Sequence, residues 1–476
     1  MPNSSPASAQ TSPVPSAAST ASTASTAGRK LASSLPRALR ALFSPQQAAA
    51  AFRAHTAHAR GLPAKLSAWQ LVLCMVAQAF AGSGELALHV FRMTSVSLSN
   101  AALCQRRRTA GWAVFATLLE HALRPLAELA RHPGAFYAGL RLVAIDGTEH
   151  SLTNTPSILR KLKKAASRRA SAAFAKLRTC VLLELHAHNP LRVAAGLGGE
   201  SELALARTLF AHLPPQALLL VDRLYGVPAV VHEILTAMQE RGSHLLVRVR
   251  RNIKVTVVRV LRDGSALITV PVPQRGVPRR HWPLLTLREI RGRVQRPGGT
   301  WSELRLWTSL LDARAHPAGA LLELYAQRWE HELYYRELKQ VFQGGAKLLR
   351  GHSVESAAQE MACVIMASAL VARTRLEMAQ SLGTGAPRVS LRRVRALMEP
   401  LWLMLQAAEG LLSARQISAI VERIETLMQR EALLPPRRAR SSPRAVRAPV
   451  SKWPRLLTRQ ETKGRPKLKI TRIKKS

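Results

Sequence analysis

The stretch Arg141-Leu142-Val143-Ala144-Ile145-Asp146-Gly147-Thr148 decides the fold. A short apolar run closes on an acid and a glycine turn, the pattern of a buried strand. Ala217-Leu218-Leu219-Leu220-Val221-Asp222 repeats it and also ends on an acid. Between the two, residues 176–187 and 191–195 read as further strands, antiparallel neighbours of each other, and 201–213 as a helix. A helix over 228–241 and a fifth strand over 244–249 follow. Strand, strand, strand, helix, strand, helix, strand is the order of a ribonuclease-H-like α/β sheet. Ligands of such sheets gather at strand carboxyl ends, where Asp146 and Asp222 fall.

Outward from this core the pattern changes. Residues 31–135 read as helical, with apolar residues at helical spacing through 69–80 and 112–126. Within them, Arg106-Arg107-Arg108 is either a phosphate contact or a solvated helix end. The same two readings stand for the basic loop Arg160-Lys161-Leu162-Lys163-Lys164 with Arg168-Arg169. Residues 250–312 are β-rich pieces parted by Asp263-Gly264, Pro271, Pro273 and Gly298-Gly299, a β insertion after the fifth strand. It carries Trp282, Trp301 and Trp307, for which core packing is the default and stacking on an unpaired base the alternative. Beyond it come a long apolar helix over 353–382, capped by Ser353, and further helices over about 390–433. The resulting plan is a leader at 1–30, a helical N-terminal domain at 31–135 that helps hold DNA, a catalytic domain at 136–350, C-terminal helices at 351–435 and a basic tail at 436–476.

Lys plus Arg is 70 against 28 Asp plus Glu, a formal charge of +42. Such an excess repels itself unless a polyanion is near, so nucleic acid is the first partner to consider. Residues 436–476 alone hold 15 Lys or Arg against Glu461, a net +14, and read as a disordered tail that adds non-specific affinity. The first 28 residues carry no charge and are mostly Ala, Ser, Thr and Pro, the composition of a disordered leader rather than a signal peptide. Cys74, Cys104, Cys180 and Cys363 lie far apart, without a CxxC, and are expected to be reduced, buried thiols in a cytoplasmic protein. His186 and His188 form an isolated pair, expected to be structural rather than metal-ligating. No membrane-spanning segment is expected; the longest apolar candidate, 68–81, is too short.

A second stretch supplies the chemistry: Tyr325-Ala326-Gln327-Arg328-Trp329-Glu330-His331-Glu332, running on to Lys339. Read as one helix stopped by Gly344-Gly345, it places Tyr325, Arg328, Glu332 and Lys339 on one narrow stripe, within roughly 60° at about 100° per residue. A solvated helix also carries Arg, Glu and Lys at such spacings. That reading leaves unexplained why the stripe follows two acids that each end a buried strand. Three carboxylates in a strongly basic chain suit metal-dependent phosphoryl transfer on nucleic acid.

Asp-Gly-Thr at 146–148, Asp-Arg-x-Tyr at 222–225 and Tyr-x2-Arg-x3-Glu-x6-Lys at 325–339 together resemble the transposases of the insertion-sequence-four family, the last pattern being that family's YREK signature. The similarity covers roughly residues 60–400. It implies a DDE triad of Asp146, Asp222 and Glu332 on a ribonuclease-H-like fold, holding two Mg²⁺ or Mn²⁺ ions. It further implies that Tyr325, Arg328 and Lys339, with Arg223 and Tyr225, hold the DNA backbone at the cut end. The substrates implied are the terminal inverted repeats of an insertion sequence and a target DNA, joined by cut-and-paste in a synaptic homodimer in the bacterial cytoplasm, at the nucleoid when bound to DNA. Glu149, Glu330 and Glu337 are rivals for the third acid. On a continuous helix Glu330 and Glu337 project about 140° and 120° from Tyr325, off the stripe, which favours Glu332. Two other readings share these residues: a nuclease that cuts without joining, and an inactive relative that only binds DNA.

Overall fold

The computed structural model of the chain describes residues 31–56, 65–166, 172–295, 301–343 and 348–435. The leader at 1–30, Arg168-Arg169, the Gly344-Gly345 stop and the tail at 436–476 lie outside these residues. Among those described, ten strands form one sheet. They are β1 (Phe136–Tyr137), β2 (Leu140–Ser151), β3 (Lys176–Glu184), β4 (Asn189–Ala195) and β5 (Ala217–Val221), then β6 (His244–Arg248), β7 (Thr256–Val260), β8 (Ala266–Pro271), β9 (Leu284–Gln295) and β10 (Trp301–Thr308). Their order is β4-β3-β2-β5-β6-β10-β9-β8-β7, with β1 paired to β2. β5 runs parallel to both β2 and β6, and every other pairing is antiparallel. β10 pairs with β6 through Leu306↔Arg248 and Trp307↔Val247, so the four last strands lengthen the same sheet.

Both sheet faces are covered, which is why the central strands read as unbroken apolar runs. Successive side chains of a strand point to opposite faces. Val143, Ile145, Leu219, Val221 and Val247 pack in one core with α7 (Glu202–Phe210) and α8 (Pro228–Met238). Leu142, Ala144, Leu218, Leu220 and Leu246 belong to the other, larger core. That core takes in the N-terminal helices α1 (Leu35–Arg40), α2 (Pro45–His55), α3 (Ala68–Ala81), α4 (Leu86–Thr94) and α5 (Asn100–Ala122). It also holds α6 (Pro156–Lys161), α9 (Ala318–Tyr325), α10 (Trp329–Glu337), α11 (Val354–Ser381), α12 (Leu391–Ala407) and α13 (Ala414–Ala432). The described helices of 31–135 therefore share one core with those of 351–435.

Three expectations need correction. Tyr325–Lys339 is not one continuous α-helix: a 3-10 turn at Ala326–Arg328 separates α9 from α10, and a π turn at Leu338–Phe342 follows. Among the described residues the longest apolar helix is α11, not 68–81; it is long and apolar enough to cross a bilayer, but most of its apolar length is buried within the protein, as befits a central core helix. Its start is held by Ser353, whose hydroxyl accepts from Ser356 N. Cys104 is exposed, whereas Cys74, Cys180 and Cys363 are buried; all four are free thiols.

Candidate active site

Parallel pairing sets the two aspartates side by side. Val143 is level with Leu219 and Ala144 with Leu220, and two residues further along lie Asp146 and Asp222. Asp146 Oδ1 accepts from the N–H of Gly147 at 2.9 Å. Asp222 folds its own turn: Oδ1 accepts from Leu224 N at 2.7 Å and its carbonyl from Tyr225 N at 3.2 Å. The turn needs Gly226, where a Cβ would come within 2.2 Å of the Arg248 carbonyl.

The four residues of the 325–339 stripe all reach these strand ends, although the helix is irregular. Tyr325 donates its hydroxyl to the Val221 carbonyl at 3.1 Å. Arg328 Nη2 donates to Glu332 Oε1 at 2.8 Å, while Nη1 stands 3.7 Å from Asp146 Oδ2. Lys339 Nζ donates to Thr148 Oγ1 at 2.7 Å. Tyr335 adds a bond the sequence reading did not include, its hydroxyl donating to the Asp146 carbonyl at 2.6 Å. The rivals for the third acid are engaged elsewhere. Glu149 pairs with Arg178 at 2.6 Å, and Glu330 and Glu337 both turn to His188.

Two further residues belong to the site. His331 is fully buried, its Nδ1 is 3.7 Å from Asp146 Oδ2, and neither ring nitrogen makes a hydrogen bond. Glu202, in the first turn of α7, lies against Gly147 from the opposite face of the sheet, and Tyr225 donates its hydroxyl to Glu202 Oε1 at 3.1 Å. Tyr225 is wholly buried and supports the site from beneath, in place of the direct contact with DNA expected of it, while Arg223 is exposed at the strand end. Nothing local in the sequence marks Glu202 or His331, because each meets Asp146 only through the tertiary fold.

Burial alone would raise the Asp146 carboxyl, but His331, the Gly147 N–H and Arg328 outweigh it and hold it below the usual range. Glu202 is pushed up to about 7, first by burial and then by the charges of Asp146 and Asp222. Burial, with Lys176 nearby, lowers Lys339. An open cleft of about 1060 Å³ borders this edge, lined by Gly147, Thr148, Lys176, Arg178, Glu202 and Lys339 among others.

The donor chemistry fits a hard divalent cation, since the groups that converge here are carboxylates and no thiolate joins them. Among the described residues no three side chains of metal-ligating type stand close enough to share an ion as placed. The Arg328 guanidinium occupies the space between Asp146 and Glu332 as their common positive charge.

Other sequence candidates are placed differently. Arg106 donates to the Leu66 carbonyl and Arg107 to Gln359 and the Ser356 carbonyl, which leaves Arg108 exposed. In the basic loop Arg160 and Lys163 are exposed and Lys161 pairs with Glu355. Trp307 is a core residue, fully buried with Nε1 donating to Glu289 at 2.9 Å. Trp282 is half-buried and donates to the Val277 carbonyl; the side chain of Trp301 lies outside the described residues. Trp329, beside Arg328, is instead 51% exposed.

A family model described as a transposase DDE domain matches residues 137–370, which include Asp146, Asp222 and Glu332. Transposase InsG for insertion sequence element IS4, from Escherichia coli strain K12, is 28% identical over 323 residues, covering 68% of this chain and 71% of that protein. A solved structure of piggyBac transposase, in a synaptic complex with hairpin DNA, aligns with a TM-score of 0.43 and 9% identity over 83% of this chain and 86% of that one. With its two aspartates side by side and the YREK residues gathered on them, the chain is a DDE transposase similar to those of the insertion-sequence-four elements, and its activity is phosphoryl transfer on DNA.

Proposed function

We propose that Asp146, Asp222 and Glu332 form the DDE triad of a cut-and-paste transposase and hold two divalent cations, Mg²⁺ or Mn²⁺ in its place. The observation that carries this reading is the shared guanidinium. Arg328 touches Glu332 and stands beside Asp146, so the third acid already faces the first across one positive charge. When bound, the cations would sharpen a hydroxyl nucleophile and steady the leaving oxygen. The chain's own groups do the rest. Asp146, kept ionised by its neighbours, supplies a fixed negative charge at the centre. Arg328, once released from Glu332, offers its forked N–H groups to the phosphate at the cut end. Lys339, Lys176 and Arg178 line the adjoining cleft, and Arg223 is exposed beside Asp222; these cations steer the backbone toward the acids. Tyr325 fixes the end of β5 under the site.

The sheet order, with its first three strands antiparallel and the next two parallel, supports a ribonuclease-H-like core, and β7–β10 support a β insertion that extends it. We read the substrates as the terminal inverted repeats of the element and a target duplex, held by a homodimer in a synaptic complex in the cytoplasm. The helices of 31–135 would add to the grip on DNA through Arg108 and its neighbours.

The test is cleavage and joining of DNA bearing the element's ends, with Mg²⁺, by the wild-type protein and by Asp146→Asn, Asp222→Asn and Glu332→Gln. Each variant is expected to bind DNA normally and to lose cutting by at least about 100-fold. Cutting retained by any one of them means that the wrong acid is named. Cut product released without joining by the wild type would favour a nuclease, and binding without any metal-dependent cutting an inactive relative.

A further inference from the structure

The nine residues of α10 that carry Glu332 are gripped from both sides. Because a 3-10 turn precedes them and a π turn follows, a continuous backbone ladder does not fix their rotation. On the side toward the sheet end, Glu332 meets Arg328. Glu330 and Glu337 are seven residues apart, two turns, and so share another side, about 200° from Glu332 in the case of Glu330. Both point at one ring. His188 Nε2 is 3.0 Å from Glu330 Oε2 and Nδ1 is 2.6 Å from Glu337 Oε2.

His188 is 1% exposed and lies in the turn from β3 to β4 at φ 51°, a backbone region that favours glycine. A side chain is held there against local preference, and it is spent on α10. With both carboxylates ionised, two acceptors facing the two ring nitrogens call for a proton on each. Arg375 of α11 stands 3.5 Å from Glu337 Oε2 and 3.1 Å from Nδ1; with Nδ1 donating to Glu337, the guanidinium serves the carboxylate. Two positive groups thus balance two negative ones in a buried cluster tied to the sheet on one side and to α11 on the other.

We propose that His188 is a positioning residue of the transposase: by bridging Glu330 and Glu337 it sets the rotation of α10 and hence the reach of Glu332. The inference rests on the reading of Glu332 as the third acid. A cavity of about 930 Å³ borders the cluster, lined by His188, Glu337 and Arg375 among others, so removal of the buried ring would leave a space that a small molecule can enter from it.

The experiment compares His188→Ala, Glu337→Gln and Glu332→Gln with the wild type, reading single-turnover cleavage at saturating DNA, DNA affinity, melting temperature and the response to free imidazole. His188→Ala and Glu337→Gln are expected to cut about 10- to 100-fold more slowly with DNA affinity unchanged, the scale of loss that a small misplacement of a reacting group produces. Free imidazole should restore part of the rate of His188→Ala and leave the wild type and Glu337→Gln alone. Should His188→Ala not fold, Glu337→Gln, which keeps the shape of its side chain, carries the test. Wild-type cutting by both clamp variants, with Glu332→Gln inactive, overturns the clamp and spares the triad. Cutting by Glu332→Gln removes the triad reading, and the clamp with it. A rate loss that tracks melting temperature and ignores imidazole assigns His188 to stability alone and also overturns the proposal.

Discussion

At Gly147 the chain passes so close to Glu202 that a Cβ would stand 2.6 Å from its Cγ and Cδ. The glycine of the Asp-Gly-Thr motif is therefore more than a turn residue, because it makes room for a carboxyl that reaches under the strand end to Tyr225. Gly147→Ala is expected to lower stability by about 1–3 kcal/mol, the usual cost of overpacking a filled site. In a Glu202→Ala background the same substitution should cost much less, because the obstructing atoms are gone. Urea unfolding of the four proteins measures the cycle, and equal costs in both backgrounds would show that the strain lies elsewhere. The sequence revealed Asp146 and Asp222 because an acid at the end of a buried strand is locally conspicuous. It could not reveal Glu202, His331 or His188, whose partners lie dozens of residues away and are chosen by the fold.

Among elements, β2 and α10 carry most of the site, and they differ in how far sequence predicts them. β2 was legible because a strand covered on both faces must be apolar at every position, so Leu142–Ile145 allowed one interpretation. The helix pattern of 325–339 was legible only in outline: periodicity gave the shared direction of Tyr325, Arg328, Glu332 and Lys339, but not the 3-10 and π turns that flank α10. Tyr334, Leu338 and Phe342 are all seated in the core, a tertiary setting that periodicity does not record. The pairing of β10 with β6 was hidden for a related reason. Nothing in a strand's composition names its non-local partner.

β2 also sets a pH response through His150. Its ring is buried, with Lys339 and Lys176 near, and its pKa is lowered to about 3; in the β3–β4 turn His186 is lowered to about 4, by burial and then Arg375. Unfolded, each would titrate at about 6.5. Below that value the unfolded chain binds protons that the folded chain refuses, so stability falls as pH drops from about 6.5 toward 4. His188 works the other way: its pKa is raised, Glu337 and Glu330 outweighing burial, so its contribution is present in acid and fades as pH rises through the raised value. Melting temperature is expected to decline from pH 6.5 to 5 and to decline less in His150→Gln. Equal slopes in the two proteins would mean that His150 is not the buried neutral base described here.

Over the whole molecule the dominant quantity is charge. A net +42 is carried by a chain whose described core is well packed, so the excess sits at surfaces and in segments such as 436–476, with +14 of it in the tail. Each phosphate neutralised by Lys or Arg releases counterions, and affinity for duplex DNA then falls with log salt at about 0.9 per contact. Removing residues 436–476 should weaken binding to random duplex by about 10-fold or more at low salt and flatten the salt slope by several units. The acids, Arg328 and Lys339 all lie outside the deleted stretch, so cleavage at saturating DNA should proceed at the full rate. An unchanged slope would show that the tail does not touch the backbone. A lost cleavage rate at saturation would place the tail in the chemistry, because mass action can make up for weak capture but not for a missing group at the cut phosphate.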